Sequence, residues 1–236
     1  MKYSVFSAML RGPRTGQEDC LLDGVDIFQA DLVREEKEID AGFLSLCVCD
    51  GMGGHDFGET ASRFVCEQIQ ARFDRTCFSA HHVRSGLSEI QTASTRHLPA
   101  NSGTTVAGLM MTDGRAIAFN AGDSRIYRIL PQAIDYISHD HSLVQGLVDK
   151  SFIPEDKAGA HPLKNIINFG IGPLFRMEWG KDSVHIHEHA FSVDAAYLIC
   201  TDGVNDLFTD SEIFDILMPM PARGGHRLLK ALEERD

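Results

Sequence analysis

The sequence predicts an α+β fold built on antiparallel sheets, and three observations carry that expectation. Apolar or alternating runs at Tyr3–Met9, Phe43–Cys49, Thr105–Met111, Ala116–Asn120, Arg125–Leu130, Val184–Phe191 and Tyr197–Thr201 read as strands. Some are joined by turns too short for a crossover. Thr112-Asp113-Gly114-Arg115 is an Asp-Gly hairpin signal, and Ala121-Gly122-Asp123-Ser124 marks a second tight reversal. Segments of helical periodicity are set between groups of strands, the pattern of helices segregated over antiparallel sheets.

Each element has a local reason. The opening run MKYSVFSAMLRGPR reads as a first strand and not as a signal peptide, because Ser4 and Ser7 break its apolar residues and no small-residue cleavage pattern follows. In Gly58–Asp74, Ala61, Phe64, Val65, Ile69 and Phe73 fall on one helical face. Val83–Thr95 repeats the pattern with Val83, Leu87 and Ile90. Ser142–Lys150, Asp210–Leu217 and Arg223–Glu234 complete the helices, the last through Leu228, Leu229 and Leu232. Ser151–Gly172, with Pro154, Gly159 and Pro162, reads as an irregular surface excursion within a single domain.

Composition narrows the function. A chain of 236 residues can bury about 70% of its unfolded surface and needs no disulfide or structural metal to fold. Lys plus Arg is 22 against 34 for Asp plus Glu, a net charge of −12, which disfavours nucleic acid and anionic membranes as partners. No run approaches the roughly 20 apolar residues of a membrane span. A phosphate-bearing substrate stays open, provided a cation is supplied locally. The cysteines at 20, 47, 49, 66, 77 and 200 form no Cys-x-x-Cys pair, and the expectation is buried, reduced thiols in a cytoplasmic protein.

The chemistry gathers where strands end. Leu46-Cys47-Val48-Cys49 runs into Asp50-Gly51, Leu198-Ile199-Cys200-Thr201 into Asp202-Gly203, and Ala118-Phe119-Asn120-Ala121 into Gly122-Asp123. A strand end holds a carboxylate at the rim of the core, and the adjacent glycine lets the backbone turn sharply and bring a carbonyl close. With Glu18-Asp19 these acids suggest one converging cluster. Ionised carboxylates share a site only when cations neutralise them, and an all-oxygen ligand set selects Mg²⁺ or Mn²⁺ over Zn²⁺. Arg14, in Arg14-Thr15-Gly16-Gln17-Glu18-Asp19, has two readings: a bidentate phosphate ligand, or a surface ion pair with Glu18 or Asp19.

The motifs come in a recognisable order: Gly12-x-Arg14 with Gln17-Glu18-Asp19, then Asp50-Gly51-Met52-Gly53-Gly54-His55 with Gly58-Glu59 and Ala61-Ser62, then Ser102-Gly103-Thr104-Thr105. Asn120-Ala121-Gly122-Asp123-Ser124-Arg125, Asp140-His141-Ser142-Leu143-Val144, His161-Pro162 with Asn165, and Thr201-Asp202-Gly203-Val204-Asn205-Asp206 follow. This ordered set, spread over nearly the whole chain, resembles the bacterial metal-dependent protein phosphatases of the PPM type, protein phosphatase type 2C. The resemblance implies an αββα sandwich of two antiparallel sheets flanked by helices, one domain over 1–236, and a flap at about 142–172 beside the site. It implies hydrolysis of phosphoserine and phosphothreonine in proteins, opposing a Ser/Thr kinase. Carried over by position, Glu18, Asp50 and the Gly51 carbonyl hold one Mn²⁺ or Mg²⁺, Asp50 bridges to a second held by Asp202, and Asp123 and Asp206 hold a third, weaker ion. Asp19 supports the site from behind, and Arg14 receives the phosphate. Two such ions lower the pKa of a bridging water, and hydroxide attacks phosphorus in line with no phospho-enzyme.

Some positions depart from the pattern. Met52 stands where eukaryotic relatives carry a histidine, which leaves His55 as a candidate general acid or as a holder of the Gly-rich loop. Asp236 is read as the Asp of the family's final Asp-Asn pair, with the strand that follows it missing. That departure opens a second class of function, a catalytically impaired pseudophosphatase that binds phosphoproteins. A third reading keeps the fold and changes the substrate to an anti-sigma-factor antagonist. His185, His187 and His189, with His139 and His141, suggest a rival zinc site, which a polar solvent face on an antiparallel strand explains more simply. The absence of a Cys-x5-Arg loop argues against a cysteine nucleophile.

Overall fold

The computed structural model describes residues 1–53, 57–175, 179–180, 183–218 and 223–235. Side-chain alternation along the strands decides its layers. In β8 (Val106–Thr112), Val106 and Met110 point to one side while Ala107, Leu109 and Met111 point to the other. In β9 (Arg115–Ala121), Ile117, Phe119 and Ala121 oppose Ala116 and Ala118 in the same way. Both faces of these strands are therefore apolar and both must be covered.

The sheet they belong to runs in the order β12 (His185–Ala190), β9, β8, β5 (Phe43–Cys49), β2 (Cys20–Leu22), β3 (Ile27–Phe28), antiparallel throughout. One face is covered by α1 (Phe57–Arg72) and α2 (Ala80–His97), which bury Val65, Ile69, Val83, Leu87 and Ile90. The other face meets a second strand layer. That layer contains a ribbon of β1 (Lys2–Leu10) and β4 (Leu32–Asp40), and a sheet ordered β11 (Ala133–Tyr136), β10 (Arg125–Leu130), β13 (Ala196–Cys200). Tyr3, Ile126 and the partly buried Val5, Tyr197 and Ile199 join Leu44, Leu109 and Met111 in the core between the layers. On the outside, α5 (Asp210–Leu217) and α6 (Gly224–Arg235) pack Ile213, Leu217 and Leu228 against Tyr127, Ile129 and Cys200. A capping box starts α5: the Glu212 N–H donates to Thr209 Oγ1, and Glu212 accepts from the Thr209 N–H. The order helix, sheet, sheet, helix is the sandwich expected.

All the expected strands and helices occur, with boundaries moved by a few residues. The unforeseen long strand is β4. Its sequence, LVREEKEID, buries only Val33, so no apolar alternation reveals it. It is held by nine register pairs to β1, from Lys2↔Asp40 to Leu10↔Leu32. The short strands β2, β3 and β11 and the two-residue pair β6 (Gly51–Met52) and β7 (Gly103–Thr104) were also unforeseen. Segment 142–172 contains α3 (Leu143–Asp149) and one 3₁₀ turn at Glu155–Lys157. The hairpin between β8 and β9 is as expected, with Thr112 opposite Arg115 and Gly114 at φ +89°.

Two local expectations need correction. Ala121–Ser124 does not fold β10 back onto β9; it carries the chain from the first sheet to the second, where β10 pairs with β11 and β13. Gly122 sits at φ +111°, and a Cβ there would come within 2.6 Å of the Thr105 side chain. The histidines of β12 do not face solvent. They face the second strand layer, half-buried: His185 Nε2 lies 3.2 Å from the Ile137 carbonyl, and His189 Nε2 lies 2.9 Å from the Tyr197 hydroxyl. Ile186 points the other way, toward the core under α1 and α2.

Gly108, opposite Phe119, tests how tightly the core is filled, because a Cβ there would run into the Phe119 ring. Gly108→Ala is expected to cost about 1–3 kcal/mol. The measurement is a lowered urea midpoint with an unchanged slope; an unaltered midpoint would mean that the ring has room to move.

Candidate metal and phosphate site

The carboxylates named from the sequence meet because the two strand layers bring their strand ends to one rim. β5 ends at Cys49 and passes through Asp50 into β6. β13 packs across β5 and β8, and its exit places Asp202 at the start of the short helix α4 (Asp202–Asn205). Asp123 lies in the crossing turn after β9, and the loop from β1 to β2 supplies Arg14, Glu18 and Asp19.

Hydroxyls and backbone groups hold these positions without adding charge. The Asp50 N–H donates to Thr105 Oγ1 at 3.0 Å, and its carbonyl accepts from the Thr105 N–H at 2.9 Å and the Thr104 hydroxyl at 2.8 Å. Thr105 Oγ1 shares a 2.6 Å hydrogen bond with Ser124 Oγ, which links the Asp50 turn to the Asp123 turn. The Glu18 carbonyl accepts from the Gly51 N–H at 3.2 Å and from the Ser62 hydroxyl of α1 at 2.5 Å. Gly58 has to lack a side chain, since a Cβ there would stand 2.8 Å from Glu18 Oε1. The Thr201 hydroxyl donates to Asp19 Oδ2 at 3.0 Å, joining the two ends of the chain at the site.

The electrostatics show what these acids lack. Burial, followed by Asp19, Asp202 and Asp123, pushes the Asp50 carboxyl well above the usual carboxylate range. Burial raises Asp19 to about 6; the Thr201 hydrogen bond opposes that rise and Asp202 adds to it. Burial, then Asp202 and Asp140, raises Asp123 to about 7. Asp202 is raised by burial and by Asp206. Asp123 Oδ1 is buried and has no hydrogen-bond partner among the described residues. An unpartnered carboxylate oxygen among further buried acids is what a site for cations presents. The donors are all oxygen, which fits Mn²⁺ or Mg²⁺. Among the described residues no three of these acids bring one oxygen each within 4.8 Å of one another, so the set is wider than the cage of a single ion.

Arg14 is exposed, and among the described residues it is in no ion pair, which removes the surface-pair reading. Its charge acts on Asp19 and Asp202. Asp206 is drawn away from the other acids: it is exposed and paired with Lys164 of segment 151–172 at 2.7 Å. His55 and Asp236 lie outside the described residues. His139 pairs with Asp149 at 3.0 Å and His141 Nδ1 accepts from the Gly122 N–H at 3.2 Å, so these histidines serve the turn behind Asp123. Thr105, Thr201, Ser62 and Ser124 stood in the sequence motifs without an assigned role. Arg125 did too, and it chelates the buried Asp140, with Nη2 at 2.6 Å and Nε at 3.1 Å, while the Tyr136 hydroxyl donates to Asp140 at 2.5 Å. A cleft of about 1310 Å³ opens the site to solvent; Arg14, Glu18, Asp19, Asp50 and Asp202 line it, and it continues between β1 and β13.

Comparison with known proteins agrees with this geometry. Residues 31–233 match the family model of protein phosphatase 2C. The serine/threonine phosphatase stp of Listeria welshimeri is 30% identical over 181 residues, 72% of this chain and 70% of that protein. The crystal structure of the serine/threonine phosphatase Stp1 from Staphylococcus aureus superposes with a TM-score of 0.78 at 26% identity, covering 100% of this chain and 90% of that one. The catalytic domain of the phosphatase PstP, solved in complex with two manganese ions, shares the fold at a TM-score of 0.71 and 23% identity, covering 99% of this chain and 92% of that one. On the match across most of its length, the chain belongs to the protein phosphatase 2C family.

Proposed function

We propose that the chain hydrolyses phosphoserine and phosphothreonine in proteins with the help of divalent metal ions, and so opposes a bacterial Ser/Thr kinase. The observation that carries the reading is the buried, mutually repelling set Asp19, Asp50, Asp123 and Asp202, with the unpartnered Asp123 Oδ1, beside an exposed Arg14 in an open cleft. The names of the bacterial relatives support the substrate class. The free cysteines support a reducing compartment, the cytoplasm.

Glu18, Asp50, the Gly51 carbonyl and Asp202 would hold two ions, with Asp50 between them, and Asp123 would hold a third with Asp206. The two manganese ions in the PstP structure favour Mn²⁺. When bound, such ions supply a water nucleophile at neutral pH and offset the charge of the phosphoryl oxygens. The chain's own part is binding and positioning. Arg14 holds the phosphoryl oxygens by paired hydrogen bonds. Asp19, fastened to Thr201, keeps the β13 exit against the β2 loop. Thr105 and Ser124 set the separation of the Asp50 and Asp123 turns. Segment 142–172 acts as a flap: its Lys164 holds Asp206, so the pair must part before Asp206 turns to an ion. Glu18, Asp50 and Asp202 are all present, and nothing among the described residues favours a non-catalytic binding module.

Asp50→Asn or Asp202→Asn is expected to lower kcat on p-nitrophenyl phosphate with Mn²⁺ by about a hundredfold while the circular dichroism stays unchanged. Retained turnover in either variant would end the two-ion assignment. Arg14→Ala is expected to raise KM for a phosphopeptide and leave kcat nearly intact. An unaltered KM would show that Arg14 does not bind the phosphate.

The raised carboxyls also make the stability of the metal-free chain depend on pH. Asp19 and Asp123 bind protons more tightly folded than unfolded, so the folded state carries the extra protons and stability falls as pH rises from about 4 to about 7. Bound cations remove that loss. Mn²⁺ is expected to raise the melting temperature more at about pH 8 than at about pH 5. An equal rise at both values would show that these carboxyls do not meet the ion.

A further inference from the structure

Four cysteines meet directly behind the acidic rim. Cys47 and Cys49 are two residues apart on β5 and share one face of that strand, the face toward α1. Cys20 of β2 stands directly opposite Cys49 in the ladder. Cys66 of α1 comes down onto the same face, and all four are at most 1% exposed. The Cys47 and Cys66 sulfurs are 3.8 Å apart, and those of Cys47, Cys49 and Cys66 all lie within 4.8 Å of one another.

Cysteine packs readily as a small apolar residue, and that alone accounts for a buried thiol. It does not account for three sulfurs converging from two elements. The spacing separates the two chemistries open to them. A disulfide needs its sulfurs at about 2.05 Å, so bridging Cys47 and Cys66 would require backbone or rotamer movement in a filled core. A tetrahedral ion with metal–sulfur bonds of about 2.3 Å sets its sulfurs about 3.8 Å apart, the separation already present. Soft thiolates select soft ions, so these residues would not compete for the hard ions that the carboxylates suit.

We propose that Cys47, Cys49 and Cys66, with Cys20 as the available fourth donor, form a buried site for a thiophilic ion, Zn²⁺ or Cu⁺. Each thiol that binds gives its proton to solvent and becomes a thiolate; no electron moves and no oxidant is needed. Three thiolates around Zn²⁺ leave one net negative charge. Because the sulfurs are closed off from water, the ion enters as α1 docks on the sheet and is retained afterwards. Its place in the fold is a rivet: it joins α1 to β5 and β2, the strands that lead into Asp50 and out of Glu18-Asp19.

The test uses the full chain, produced in minimal medium supplemented with Co²⁺, purified under reductant and dialysed against EDTA to strip ions held by carboxylates. The expected result is about one equivalent of retained cobalt with an intense sulfur-to-cobalt charge-transfer band in the near ultraviolet, which carboxylate ligands do not give. Production with Zn²⁺ is expected to leave a similar equivalent of zinc by mass spectrometry. Cys47→Ala and Cys66→Ala are each expected to lower the retained metal about tenfold or more, and Cys77→Ala to leave it unchanged. Wild-type protein with neither metal nor band overturns the proposal. So does a band that survives in Cys47→Ala, or one that disappears in Cys77→Ala. If the Cys47 and Cys66 variants do not fold, the wild-type spectrum and the Cys77 variant decide alone.

Discussion

Repulsion among Asp19, Asp50, Asp123 and Asp202 is the constraint around which this end of the molecule is arranged. Each is at least half-buried, each raises the proton affinity of another, and none can be removed from the rim without moving a strand end. The surrounding groups answer with geometry more than with charge. Threonine and serine hydroxyls hold the turns, glycines let backbones approach, and only Arg14 brings a positive charge, from an exposed position. A rim built in this way is stable in proportion to the cations it holds, so stability and chemistry are linked through the same carboxylates.

Asp140 shows what the fold does with an acid it intends to satisfy. It is buried like Asp123, yet it takes a two-point hydrogen bond from Arg125 and a third from Tyr136. Arg125 lies on β10 and Asp140 on the turn that follows β11, so the pair locks the second sheet behind the crossing turn that carries Asp123. Breaking such a buried pair leaves an uncompensated charge, typically at a cost of about 3–5 kcal/mol. A few residues apart, one acid is closed off and the other is left with a bare oxygen. That contrast, more than acidity itself, separates a structural carboxylate from a ligand.

Much of this was legible in the chain. Strands with apolar alternation and helices with an apolar face declared themselves locally, and the Asp-Gly steps at strand ends pointed to Asp50, Asp202 and Asp123 before any geometry. What stayed hidden was non-local. β4 lacks a pattern because Val33 is its only buried residue, and its existence depends on a partner some thirty residues earlier. The turn at Gly122 looked like a hairpin because local sequence does not say which sheet the next strand will join. The β12 histidines looked like a wet face because their cover arrives from β10 and β13, far along the chain. Serine and threonine are too common for their hydroxyls to betray a role; the hydrogen bond from Thr105 to Ser124 becomes visible only when the turns meet.

The hydrogen bond from Thr201 to Asp19 spans 182 positions of sequence, the longest hydrogen-bonded reach at the site. During synthesis the loop bearing Arg14, Glu18 and Asp19 leaves the ribosome long before β13 does. The rim therefore has no competent intermediate: a nascent chain carries half a site, and the closing contact belongs to the slow, non-local stage of folding. The enzyme cannot be switched on piecemeal, and any opening that lifts β13 away would disperse the acids and whatever they hold in a single event.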